Sequence, residues 1–170
     1  VQEPITIETG YDLLTDKGRS AAETVLKAQQ PDVIVAQWMC APWSIIQNIN
    51  LVGHRAARQT VLDARELHRP LLRWLAKMEQ WQRERGAHWV GENPHNSVAW
   101  REPCMQAMLA NNYNTLLDMC TQDLKDPVTG LHYRKRTLLN HTSPAVHEAL
   151  DLLCPGDHKH GSLEGTTRVE

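Results

Sequence analysis

Cys40 stands just past Val33-Ile34-Val35-Ala36, a β-branched apolar run bounded by Pro31 before it and by Cys40-Ala41-Pro42 after it. Such a run reads as a short buried strand, and in an open α/β sheet ligands bind at the carboxyl ends of strands. A thiol there is placed where a nucleophile would act, although a free cysteine is also a common small buried hydrophobe. Two further segments carry complementary chemistry: Glu92-Asn93 and the cluster Arg134-Lys135-Arg136. A thiolate can attack an electron-poor ring carbon, and a carboxyl group can hydrogen-bond a ring nitrogen and, in its acid form, protonate it. Arginine can hold a carbonyl oxygen or a phosphate. A second set is Cys154-x3-His158-x-His160, with Cys120 as a remote fourth member. Thiolate and imidazole in a short glycine-containing loop suit tetrahedral zinc, although this spacing is not a common finger spacing and a polar tail is the plainer alternative.

The elements that must position these residues follow from periodicity. Ile5–Thr9 alternates as a first strand. Residues 19–29 form a helix that Pro31 ends, and the strand leading to Cys40 follows. Strand, helix and strand in succession predict a βαβ unit with parallel strands. Residues 54–85 form the longest helix, with Leu67, Leu71, Trp74, Leu75, Met78 and Trp81 on one face. Arg65, Arg69, Arg73, Lys77 and Arg83 form a basic opposite face. Pro70 should kink or divide this helix, and Gly86 should stop it. Strands are expected at 87–94, 115–120 and 136–140, and helices at 100–110 and 144–153. The expected fold is α/β, a Rossmann-like, mostly parallel sheet flanked by helices over residues 1–153, with a Cys/His tail over 154–170.

Composition sets the outer limits. At 170 residues, with 41% hydrophobic and 22% charged residues, the chain can bury one sizeable core. A net charge of −2 offers no bulk attraction to nucleic acid or membrane, so a nucleic-acid partner would need a local basic patch. No apolar run is long enough to span a bilayer, and no membrane partner is expected. Four cysteines without regular spacing, and no signal-peptide pattern, predict free thiols or metal ligands and an intracellular setting, cytoplasmic or nuclear.

Taken in order, Cys40-Ala41-Pro42-Trp43-Ser44, Glu92-Asn93-Pro94 and Arg134-Lys135-Arg136 resemble three motifs of DNA cytosine-5 methyltransferases: Pro-Cys-x-x-Phe-Ser, Glu-Asn-Val and Arg-x-Arg. The resemblance spans about residues 31–140. It is nearest to a divergent group in copia-like retroelement polyproteins, whose pattern also fits Gln47, Asn48, Asn50, Cys154, His158, His160, Leu163 and Gly165. It implies Cys40 as the nucleophile for cytosine carbon 6, Glu92 on the ring nitrogen and exocyclic amine, and Arg134 or Arg136 on the base carbonyl. It also implies substrate-binding places for Ser44, Gln47, Asn50 and Asn93, on a base flipped from its stack. Met39 replaces the motif's proline. The glycine-rich loop that binds S-adenosylmethionine in the family is missing from this chain, which leads us to expect a further N-terminal segment, or a second copy, to complete the fold. From another class, the competing reading is a non-catalytic, zinc-stabilised nucleic-acid-binding module. A cysteine hydrolase pairing Cys40 with His88 or His95 has no local signature.

Overall fold

The computed structural model describes residues 2–161. Five helices, α1 (Asp16–Gln29), α2 (Gln47–Val52), α3 (Arg55–Glu84), α4 (Pro103–Asn111) and α5 (Pro144–Leu150), accompany six strands. These are β1 (Val33–Gln37), β2 (His88–Pro94), β3 (Tyr113–Asp118), β4 (His132–Tyr133), β5 (Arg136–His141) and β6 (His160–Gly161). The main sheet has the order β1-β2-β5-β3, and β4 and β6 form a separate two-stranded parallel ladder.

The fold is mixed α/β, but the sheet is not mostly parallel. β1 and β2 pair in parallel, while β5 runs antiparallel to both β2 and β3. Thus β1, β2 and β3 share one direction, and the reversed β5 is inserted between the second and third. The expected first strand at Ile5–Thr9 is instead a turn. The Thr9 hydroxyl accepts from the Thr6 amide at 2.9 Å and donates to the Pro4 carbonyl at 2.7 Å, satisfying locally the groups a ladder would use. The parallel pair is therefore β1 and β2, with α3 in the crossover between them.

α3 runs unbroken through Pro70 for 30 residues. The proline removes one N–H from the ladder, but Leu71 and Leu72 just beyond it are buried and hold the helix against the core. The buried stripe is Val61, Arg65, His68, Leu72, Leu75, Glu79 and Gln82, joined by Leu71 and Met78. The apolar face read from the sequence is corrected at Leu67, which is 55% exposed. The true stripe steps at helical spacing through polar residues as well as apolar ones. Gln82 shows why a polar residue fits there: its Nε2 donates to the carbonyls of Pro31 (3.0 Å) and His88 (2.8 Å). It thereby ties the helix to the starts of both parallel strands.

The basic face is also corrected. Arg65 is buried, donating from Nε to the Pro42 carbonyl at 3.0 Å, with its guanidinium 5.7 Å from the Trp43 ring centroid. Arg69 pairs with Glu66 and Glu102, Lys77 with Glu23, and Arg83 with Glu79. Most of that charge is answered within the chain. The core beneath holds Trp38, Trp43, Trp89, Trp100, Met105 and Met108 together with the leucines of α3. Gly91 in β2 lies under two of these indoles: a Cβ there would come within 2.9 Å of Trp89 Nε1 and 3.4 Å of Trp38.

Candidate metal centre and strand-end site

Because β1, β2 and β3 run the same way and β5 opposes them, the last residues of three strands and the first of the fourth meet at one end of the sheet. Gln37 is in register with Glu92, Pro94 with Thr137, and Asp118 with Arg136. All three motif segments and the Cys/His set belong to this end.

Cys40 lies three residues past β1 and is exposed, so it is not the buried hydrophobe of the plainer reading. The turn that follows it, Ala41–Trp43, is fixed from below. Trp43 is buried under the Arg65 guanidinium, the Trp43 amide donates to the Cys40 carbonyl at 2.9 Å, and Arg65 holds the Pro42 carbonyl. Asn93 anchors the same loop from β2: its side chain is buried, and Nδ2 donates to the Trp38 carbonyl at 2.8 Å. Asn93 thus ties the end of β2 to the Cys40 loop through Nδ2, while its Oδ1 is buried without a partner. Ser44 accepts the Ile46 amide at 3.3 Å, and Gln47 accepts from Asn50 Nδ2 at 2.6 Å. Gln47 and Asn50 also line a cleft of about 420 Å³ beside Ala41 and Pro42, closed by Thr60 and Val61 of α3.

The arginines do not face Glu92. The Glu92 carboxylate accepts from the Thr137 hydroxyl, and Lys135 Nζ lies 3.8 Å from Glu92 Oε1. Lys135, the middle residue of the cluster, is the basic neighbour that reading the Arg-x-Arg pattern alone missed. Arg136 instead forms a two-point pair with Asp118, Nε to Oδ1 and Nη2 to Oδ2, both 2.8 Å. Arg134 approaches the same carboxylate at 3.4 Å with its side chain half exposed. The Arg136 guanidinium holds the Asp118 carboxyl well below the usual carboxylate range, against the opposing effect of burial. Asp118, wholly buried, was not singled out from the sequence, because nothing in its neighbourhood distinguishes it from other carboxylates.

No family model, curated protein or solved structure matches the chain. The chemistry of this end of the sheet therefore rests on its own side chains.

The Cys/His set does assemble. Ligand atoms of Cys120, Cys154, His158 and His160 all lie within 4.8 Å of one another, a group that could hold a metal ion. Cys154 Sγ is 3.8 Å from His158 Nε2 and 3.4 Å from His160 Nε2. Three elements bring them together. The 3₁₀ turn Met119–Gln122 carries Cys120 directly off the end of β3. The Asp118 amide donates to the Leu152 carbonyl (2.9 Å), and the Cys154 amide donates to Asp118 Oδ2 (3.0 Å). The β4–β6 ladder then aligns His132 with His160. Around the ligands, His158 Nδ1 meets Asp157 Oδ1 at 2.7 Å, and the Gly156 amide donates to Cys154 Sγ at 3.4 Å. Orienting contacts of this kind tune metal ligands. Burial, and next the Cys154 sulfur, push the Cys120 thiol up, since a second anion is disfavoured there without a cation. Loss of solvent, and then the basic neighbours His158, Arg134 and His132, lower the pKa of His160, favouring the neutral imidazole that binds metal. Leu163 and Gly165 of the tail pattern lie outside the described residues.

The glycine-rich loop that the resemblance would assign to S-adenosylmethionine has no counterpart at the strand ends among the described residues. None of β1, β2, β3 or β5 leads through a glycine-rich turn into a helix. The one glycine at a helix start, Gly18, is closed against the Asp12 backbone, where a Cβ would meet the carbonyl oxygen at 1.9 Å. Among the described residues, no helix is long and apolar enough to cross a membrane.

Proposed function

We propose that this chain is a zinc-stapled, DNA cytosine-5 methyltransferase-like module of retroelement type that presents Cys40 to a flipped pyrimidine. The observation that carries the proposal is the meeting of Cys40, Glu92, the Arg134–Arg136 segment and the Cys/His cluster at one end of the sheet. These segments lie far apart in the chain, and their order follows the resemblance.

In the proposed reaction the Cys40 thiolate forms a bond from Sγ to ring carbon 6. The electron pair displaced from the ring is accepted at the ring nitrogen, which takes a proton from the Glu92 carboxyl. Lys135 and the Thr137 hydroxyl hold that carboxyl in place. Arg134, half exposed, is the arginine available to the base carbonyl, whereas Arg136 is held by Asp118. A methyl donor would be supplied by a segment or partner other than residues 2–161. Zinc is favoured over other metals by the two-sulfur, two-imidazole donor set. Metal bonds of about 2.3 Å to sulfur and 2.0–2.1 Å to nitrogen put tetrahedral ligands about 3.6 Å apart, and the two Cys154–histidine separations, 3.8 and 3.4 Å, bracket that value.

The test uses DNA containing 2-pyrimidinone in place of cytosine, which a thiolate can attack without a methyl donor. Wild-type protein should form a complex that survives denaturing electrophoresis, and Cys40→Ser should not. Equal trapping by the variant would reject Cys40 as nucleophile. A second reading, a non-catalytic nucleic-acid-binding module, is favoured by one observation: Asp118 takes up the bonding of Arg136. It predicts DNA binding without any trapped complex.

A further inference from the structure

Asp118 touches both the arginine segment and the loop that carries Cys154. One carboxylate oxygen, Oδ2, accepts both from Arg136 Nη2 (2.8 Å) and from the backbone amide of the ligand Cys154 (3.0 Å), and it lies 3.4 Å from Arg134 Nε. Its own backbone amide holds Leu152, two residues before Cys154, and it lies two residues before the ligand Cys120. The Met119 amide, between Asp118 and Cys120, donates to the Lys135 carbonyl at 3.0 Å. Removing one partner of a buried charge pair leaves the other uncompensated, so the arginines and the cysteine loop cannot rearrange independently.

We infer that Asp118 is a positioning residue that makes the placement of Arg134 and Arg136 depend on metal occupancy of the Cys120/Cys154/His158/His160 centre. This rests on the zinc reading above and extends it: the metal is not only a staple for the tail but sets whether the basic segment beside Glu92 is formed. With the metal bound, Cys154 is fixed, its amide holds Oδ2, and the carboxylate is aimed at the Arg136 fork. Without it, the loop carrying Cys154 is left with its hydrogen bonds and the β4–β6 ladder alone, and the carboxylate and both guanidinium groups loosen together. Coupling of this kind is reciprocal, so a change at Asp118 must also be felt by the metal.

The test is arginine-selective labelling with phenylglyoxal, mapped by peptide mass, on the full chain with its metal content measured in parallel. Arg136 should be protected in the zinc-loaded protein and react several-fold faster after chelation. Arg65, buried beneath the Cys40 loop, should stay protected. Asp118→Asn should label at Arg136 as the chelated wild type does, and should give up zinc more readily to a competing chelator. Protection of Arg136 that persists after the metal has demonstrably left would overturn the inference, as would protection in Asp118→Asn. Release of Arg65 together with Arg136 would also overturn it, since the metal would then hold the whole fold and not the arginine segment. Failure to take up any metal would show instead as zero stoichiometry at the outset, and would remove the zinc reading and this inference with it.

Discussion

Cys40 and Asp118 show how differently single residues declare themselves. A thiol after a β-branched run is conspicuous, and Cys120, Cys154, His158 and His160 were legible because sulfur and imidazole are scarce and rarely gather without reason. Asp118 was invisible, because its role depends on Arg136 and Cys154, partners 18 and 36 residues away. The resemblance offers Arg134 or Arg136 to the base carbonyl, and only the pairing of β3 with β5 reveals the carboxylate partner of Arg136. Two buried histidines carry a prediction at this scale. Burial lowers the pKa of both His68 and His141, with the neighbouring His147 contributing second at His141. The unfolded chain, with an ordinary histidine pKa of about 6.5, therefore binds more protons than the folded one between that value and the lowered ones. Stability should be fully present above about pH 6.5 and fall as the pH drops below it. Urea midpoints at pH 7.5 and 5.5 check this. The drop should shrink in His68→Gln, and an equal drop would mean that His68 does not contribute.

At the scale of elements, the sequence predicted most helices and strands but not their directions. α3 was legible from its periodicity, yet its buried stripe was only half read, since Arg65, His68, Glu79 and Gln82 are polar residues that find partners or cover inside. Hydropathy cannot foresee a side-chain amide that satisfies two backbone carbonyls. Gln82→Ala leaves the His88 carbonyl without its side-chain donor and the Pro31 carbonyl with Arg85 alone. It should cost about 2 kcal/mol, within the usual range for unsatisfied buried groups, as a lowered urea midpoint with an unchanged slope. A cost near zero would mean that Arg85, which also donates to the Pro31 carbonyl at 2.8 Å, makes Gln82 redundant. Ile5–Thr9 alternated as a strand does, but a threonine hydroxyl closing a local turn satisfied it first. The inserted antiparallel β5 is the largest departure. Its register comes from contacts with β2 and β3 over long sequence separations, which no local pattern records.

For the whole molecule, the Cys/His tail is joined to the sheet rather than appended to it. The Asp118 amide and carboxylate bind it from β3, and β6 pairs with β4. A ligand that binds the folded state alone stabilises it by an amount that grows with the logarithm of its concentration over Kd. Zinc should therefore raise the melting temperature, and a chelator should lower it. Cys154→Ser should abolish most of that difference, while Cys40→Ser should leave it intact. A melting temperature indifferent to zinc would mean that the folded chain does not bind it, and would reject the metal centre.

The most direct test is native mass spectrometry of the zinc-loaded protein after incubation with a short 2-pyrimidinone-containing DNA, because one spectrum reads both metal and adduct. The wild type should appear with one zinc and one covalently attached oligonucleotide, and peptide mapping should place the attachment at Cys40. Cys40→Ser should keep the zinc and lose the adduct. A zinc-loaded wild type that never forms the adduct, or an adduct that survives in Cys40→Ser, would contradict the proposal that this end of the sheet offers a nucleophile to a nucleobase.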